Sequence, residues 1–301
     1  MKVTLIKLLS TFIKLPAKFY HIYSSLVWDI DKRLGSFLLD GNTAEVDKKI
    51  TTFRHTTSSS GSISMSLFTP NTVCKSRADT FSTKEPETLE WIEEFGTDKS
   101  VLYDIGANIG IYSIYHCLLN QGKTIAFEPS FFNLKQLAKN ISANNCDDDI
   151  IVVPNALSSH NQISTFKYGE ATEGGALSAF GVDFGFDGQS ISSQLSTKVI
   201  GLTLDSLFEY KLLDLPPDLV KIDVDGIEHI ILEGAIKTLS NPSCKSILIE
   251  VNDDFKEQGE GVENIMNQCG FILRDKKHGK MFNKSELYSN TYNQIWVKKE
   301  K

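Results

Sequence analysis

From residue 83 onward, short apolar runs alternate with stretches of helical period. Thr83–Phe95 places Leu89, Ile92 and Phe95 on one face, with Pro86 tolerated near a helix start. Val101–Ile105 has strand length, Ile109–Leu119 returns to helical spacing, and Gly122 ends that helix. The alternation continues. Lys123–Phe127 reads as a strand, and Ser130–Asn144 as a helix burying Phe132, Leu134, Leu137 and Ile141. Ile150–Val153 is a third strand, stopped by Pro154. Val199–Thr203 alternates as a short strand outside this series and Asp218–Gly226 (DLVKIDVDG) is its fourth strand, each followed by a helix. The helix from Ile227 turns Ile230, Ile231 and Leu239 inward and approaches closely at Gly234 and Ala235. Ser246–Val251 is a fifth buried strand, Val262–Gly270 a helix, and Phe271–Arg274 with Gln294–Lys298 a closing pair of strands. Strands regularly separated by helices specify an α/β fold, and seven sheet strands are counted.

Two stretches break this rhythm. Gly169–Ser196 is rich in glycine and serine without helical period, and such a length inside a compact domain reads as a binding lid, offering Phe180, Phe184 and Phe186 to stack on an acceptor. Thr56–Ser66 (TTSSSGSISMS) reads as a loop. It divides residues 1–66, a helical appendage with linker, from a main domain over 67–301. Within the appendage, Ser24–Thr52 continues a helical pattern with Leu34, Phe37 and Leu38 on its apolar face. Residues 1–23 interleave apolar side chains with Lys2, Lys7, Lys14 and Lys18, which rules against a membrane-spanning helix. Two readings stay open for this amphipathic helix: packing on its own domain or a second subunit, or lying peripherally on an anionic membrane.

Composition narrows the function. With 301 residues, 41% of them hydrophobic, the chain can bury one generous core. A net charge of −7 argues against a nucleic-acid binder that works by phosphate neutralisation. Five dispersed cysteines without a C-x-x-C pair suggest neither zinc nor disulfides, but buried thiols in a reducing, cytoplasmic setting.

The chemistry gathers around Val101–Ser113 (VLYDIGANIGIYS). A buried strand ends in Asp104, turns through Gly106 and Gly110, and becomes a helix whose N-terminus is an anion site. Asn108 replaces the second glycine of a dinucleotide-binding turn, and no Lys-Ser or Lys-Thr pair makes a P-loop. Glu128 ends the next strand 22 residues beyond Gly106, the placement of an acid that holds ribose hydroxyls. The ligand therefore carries a nucleoside.

Taken together, DIGANIGIYS, AFEPS, KEPETLEWIEEF and KIDVDGIE resemble the FkbM family of S-adenosylmethionine-dependent methyltransferases, over about Thr69 to Asn252. The resemblance implies a class I methyltransferase fold. Its Rossmann-like sheet has seven strands, mostly parallel with one antiparallel, and helices on both faces. S-adenosylmethionine would be held by Asp104, Gly106, Ala107, Asn108, Gly110, Tyr112, Glu128, Pro129 and Asp223, with Asn155 and Ala156 at the adenine edge. Glu85 and Trp91 of the KEPETLEW helix come within reach of the ligand or belong to the core.

Asp223 and Asp225 project to one side at the carboxyl end of the fourth strand, beside Glu228 and His229. Asp223 is the first choice for a catalytic role. Asp225 and Glu228 follow, as general base or, with Asp223, as ligands of a divalent cation, and His229 is a further candidate. Lys221 inside that strand pairs with a buried acid. The expected reaction is O-methyl transfer to a hydroxyl, of a glycan sugar or a secondary metabolite. A non-catalytic cofactor-binding scaffold and an NAD-linked oxidoreductase are the alternatives.

Overall fold

The computed structural model describes residues 47–299, except 60, 194, 281, 283, 284, 286 and 287. Residues 1–23, with their expected amphipathic helix, lie outside that range. The chain divides into two compact units, Met1–Lys49 and Ile50–Lys301, and the second carries the elements that follow.

It opens with an antiparallel hairpin, β1 (Ile50–Thr56) and β2 (Ser62–Phe68). The serine-rich stretch expected as a loop is therefore mostly strand, as are the last residues of the expected helix Ser24–Thr52. Composition concealed a period of two: Met65 and Leu67 are buried on one face while the intervening serines face outward. Asn140 and Asn144 fix the hairpin by accepting from Phe68 N at 2.8 Å and Ser66 N at 2.9 Å.

Three helices follow: α1 (Thr72–Asp79), α2 (Phe81–Lys84) and α3 (Pro86–Phe95). Then come β3 (Val101–Ile105), α4 (Ile111–Asn120), β4 (Lys123–Phe127), α5 (Phe131–Ala143) and β5 (Ile150–Val153). After β6 (Ala156–Leu157), β7 (Gln162–Tyr168), β8 (Ala179–Phe180) and β9 (Leu195–Leu202), the alternation resumes. It runs through α6 (Leu204–Glu209), β10 (Leu219–Ile222), α7 (Glu228–Glu233), α8 (Ile236–Ser240), β11 (Ser246–Asn252), α9 (Lys256–Gln268), β12 (Phe271–Lys277) and β13 (Thr291–Lys298).

The main sheet has the order β12-β13-β11-β10-β3-β4-β5. Among the described residues β13 alone runs antiparallel to its neighbours, as the resemblance implied. Successive side chains of β3 feed opposite cores. Leu102 joins the cluster under α3, α4 and α5, whereas Tyr103 and Ile105 join the one under α7, α8 and α9. Both faces are thus covered, which is why β10 (LVKI) is buried at all four positions. The strand order reverses between β3 and β10, so the ligand crevice lies over their carboxyl ends.

Gly169–Ser196 is more structured than expected. Ala179–Phe180 and its last residues, Leu195–Ser196, belong to a separate sheet of order β6-β9-β7-β8, and the Gly174-Gly175 turn is stitched to the main domain. Asn108 Nδ2 and Asn133 Nδ2 donate to the Gly175 carbonyl at 2.8 and 3.2 Å, and Gly174 N donates to Asn133 Oδ1 at 3.0 Å. All five cysteines are buried and free. No helix among the described residues is long and apolar enough to cross a membrane.

Candidate active site

The turn between β3 and α4 is built on left-handed backbone, with φ of 83° at Gly106, 52° at Asn108 and 86° at Gly110. At Gly106 the need for glycine is steric as well. A Cβ there would stand 1.9 Å from the Asp223 carbonyl oxygen, so a side chain would push apart the turn and the end of β10. At Gly110 it would meet Leu137 at 2.4 Å, so this glycine serves the packing of α4 on α5.

Glu128 is the hinge of the cofactor side. Asn108 N donates to Oε2 and Ser130 N to Oε1, each at 2.8 Å. Burial pushes the carboxyl up to about 7 against the pull of those donors. Around it lies a cavity of about 590 Å³, walled by Phe127, Pro129, Asn155, Ala156, Leu157 and Phe180. A second cavity, of about 1380 Å³, is lined by Ala107, Tyr112, Lys84, Glu85, Glu250 and Tyr288, among others. Both cavities reach Gly106, Asn108, Ala176, Asp223 and Asp225. The two aspartates stand where the cavities meet.

Their environments differ. Lys221 Nζ, on a side chain only 2% exposed, bonds Asp223 Oδ2 at 2.9 Å and lies 4.0 Å from Asp104 Oδ1. Asp225 takes left-handed backbone (φ 63°) and accepts from Ser178 N at 3.1 Å. Burial and then the charge of Asp223 push Asp225 up to about 6, against the Ser178 donor.

The structure places several of the expected site residues away from the two cavities. Asp104 lines neither cavity: it is fully buried, accepts from Ser113 Oγ at 2.6 Å, and supports the turn from beneath. Glu228 folds back to accept from Val224 N at 3.0 Å and Gly226 N at 3.2 Å, so it braces its own loop instead of reaching an acceptor. His229 packs edge-on against Phe255, with ring centroids 5.8 Å apart, and lines neither cavity. Helical rotation after Gly226 carries both away from the strand edge. Trp91 is a core residue, its indole N–H donating to Ser246 Oγ at 2.9 Å, whereas Glu85 does line the second cavity.

Of the lid aromatics, Phe180 walls the first cavity, Phe184 packs on Phe255 and Phe186 on Tyr288. The aromatic faces in the second cavity are instead Tyr112, Phe282 and Tyr288. A divalent cation finds no support. Among the described residues no three His, Cys, Asp or Glu converge as ligands, and the ammonium of Lys221 already occupies the place beside Asp223.

The sequence profile described as the methyltransferase FkbM domain matches residues 104–273. The chain belongs to this family. No curated protein matches it in sequence. Among solved structures it is similar to a precorrin-6y C5,15-methyltransferase from Geobacter metallireducens GS-15, at 16% identity over 68% of this chain and 82% of that one, with a TM-score of 0.39. It is also similar to a putative rRNA methylase from Clostridium thermocellum, at 12% identity over 72% and 96%, TM-score 0.44. A third is the fibrillarin pre-rRNA processing protein of Methanococcus jannaschii, at 13% identity over 69% of each chain, TM-score 0.40.

As an FkbM methyltransferase the protein uses S-adenosylmethionine, and its residues fit that cofactor. The first cavity offers apolar walls for adenine. Glu128 spends one acceptor position per oxygen on backbone donors, and a carboxylate has about four, so acceptor capacity remains for a ribose hydroxyl. Ile111 and Tyr112, in the first turn of α4, line the second cavity and present the positive helix end to a carboxylate.

The buried acids also make the cofactor-free fold sensitive to pH. Burial holds Glu128 and Glu228 at about 7 against an ordinary 4.5. The folded chain therefore keeps protons that the unfolded chain has released, and stability falls as pH rises through 7. His116 and His229, lowered by burial from an ordinary 6.5, oppose this only in part above that value, because the unfolded imidazoles, half protonated at 6.5, lose their remaining protons as pH rises further. Between about pH 6.5 and 8 the Tm of the cofactor-free protein should decline, and Glu228→Gln should reduce the decline. Differential scanning calorimetry checks this; a Tm that is level or rising over that interval contradicts it.

Proposed function

We propose that this methyltransferase methylates a hydroxyl of a sugar or another small polar acceptor, and that Asp225 takes the hydroxyl proton. The observation that carries the reading is the meeting of the two cavities at a pair of carboxylates, one of them not held by a lysine. The chemistry S-adenosylmethionine supplies there is an electrophilic methyl group on a sulfonium. The protein's part is to hold the acceptor oxygen in line and to receive its proton.

Holding reacting groups in that geometry contributes about 7–11 kcal/mol. A positioned base adds about 10²–10⁴-fold, because an alcohol is a poor nucleophile until its proton is leaving. Asp225 suits the task. With an affinity for protons near pH 6 it is ionised at neutrality yet more basic than an ordinary carboxylate. Asp223, bonded to Lys221, is a positioning residue in this scheme.

The second cavity supports a carbohydrate-like acceptor. Tyr112, Phe282 and Tyr288 provide aromatic faces, and Glu85, Glu170 and Glu250 provide hydrogen-bond acceptors for hydroxyls. The same acids repel a phosphate backbone, which favours a small acceptor over nucleic acid. The test is incubation with S-adenosylmethionine and mono- and oligosaccharide acceptors, following S-adenosylhomocysteine release and locating the new methyl by NMR. A new methyl ether is the expected product. Turnover that methylates only nitrogen, carbon or nucleic acid would overturn the reading.

A further inference from the structure

Beyond the paired aspartates, the second cavity continues into a narrow end with room for little more than one water-sized group, and the two spaces share Glu85, Glu250, Phe282 and Tyr288. Three carboxyl groups face this end: Glu85, Glu87 and Glu250. They are not equally satisfied. Glu85 is bonded by Lys84 Nζ at Oε1 and accepts from the Tyr112 hydroxyl at Oε2 at 2.7 Å. Glu87, only 3% exposed, accepts from Asn293 Nδ2 at 2.9 Å through Oε1, while Oε2 has no hydrogen-bond partner among the described residues. Thr291 Oγ1, in the same lining and 6% exposed, is likewise unpartnered. The carboxyl of half-buried Glu250 lines the same space.

Positive charge does not balance these acids. The described lining of the narrow end contains no lysine or arginine, and Lys84 at its margin is committed to Glu85. His278 also faces the space, its Nδ1–H donating to the Thr291 carbonyl at 3.1 Å. A carboxyl group buried without a counter-charge or a full set of donors is costly, and burial accordingly pushes Glu87 and Glu250 up. A group carrying several N–H donors and a positive charge would answer Glu87 Oε2, Thr291 Oγ1 and Glu250 together. Lys84 Nζ already stands over the Phe282 ring, 5.7 Å from its centroid, which leaves the Tyr288 ring to face the same guest, since aromatic faces attract cations.

We propose that this narrow end binds an ammonium group of the acceptor. Resting on the hydroxyl-transfer reading above, this makes the acceptor an amine-bearing polyhydroxyl compound, of which an amino sugar is the simplest kind. The amine is the anchor, and a hydroxyl elsewhere on the acceptor is presented to Asp225.

The test titrates glucosamine, N-acetylglucosamine and glucose into the full-length enzyme loaded with S-adenosylhomocysteine, with affinities read by calorimetry or ligand-observed NMR. Glucosamine should bind about tenfold or more tightly than either neutral sugar. Glu87→Gln should shrink that advantage to about threefold or less. Equal affinities, preference for a neutral sugar, or saturable binding by none of the three would overturn the proposal. Should Glu87→Gln fail to fold, the wild-type comparison decides alone. A parallel transfer assay separates the two readings. Selective glucosamine binding without any methyl ether keeps the ammonium site and removes hydroxyl transfer, whereas methyl ether formation without amine preference does the reverse.

Discussion

Asp225→Asn is expected to lower kcat about 100- to 10,000-fold while leaving S-adenosylmethionine affinity within about threefold. The substitution is clean. Asparagine tolerates left-handed backbone, so the φ of 63° at this position is not a new strain. Its amide oxygen still accepts from Ser178 N, so the lid keeps its tie. What disappears is the capacity to take a proton. The pH dependence supplies an independent reading. Asp225 must be ionised to act, so wild-type kcat should rise from acid pH to a plateau above about 6 and fall away as pH drops through that value. In the variant that limb should vanish. Undiminished turnover, or an unchanged acid limb in the variant, would move the base elsewhere, with Asp223 the next residue to test. Stopped-time assays of S-adenosylhomocysteine from pH 5 to 8 measure both quantities.

The parts of the site that were legible in the sequence are those imposed by backbone. A glycine at 106 is required because the Asp223 carbonyl approaches that position too closely for any side chain, and such a demand leaves a fixed letter in the chain. The acids at the strand ends could be read for a related reason: β4 and β10 terminate at one edge, so Glu128 and Asp223 arrive there by register alone. Spacing says nothing of which way a side chain folds once the strand has ended. Glu228 and His229 follow Asp225 within four residues, yet one braces the loop and the other packs on Phe255. Phe282, Tyr288 and Glu250 went unread for the opposite reason. Glu250 and Asn293 meet only through the antiparallel register of β11 and β13, and the aromatics lie in the segment between β12 and β13. In the hairpin, polarity overrode period. Eight serines and threonines among Thr56–Ser66 read as loop, although every second residue from Ile63 onward was apolar.

Lys221→Met should cost the fold about 3–5 kcal/mol, against the about 5–15 kcal/mol that a domain typically has. Methionine nearly matches the length and apolar stem of lysine, so the space against the Tyr112 ring, 5.1 Å from Nζ, stays filled. The loss is of charge. Burial alone would lower the ammonium's proton affinity, but the charges of Asp223, Asp104 and Glu85 outweigh it and hold the group firmly protonated. Without it, Asp104 keeps only the Ser113 hydroxyl, its Oδ1 already lacking a hydrogen bond, and Asp223 loses the partner of Oδ2. A double-mutant cycle shows whether that is the cause. If the damage comes from acids left without a counter-charge, adding Asp104→Asn to Lys221→Met should restore part of the stability, since the amide still accepts from Ser113 and no longer carries a charge. Urea midpoints at constant m-value report the result. Strictly additive losses would show that Lys221 acts through packing and not through its charge beside Asp104 and Asp223.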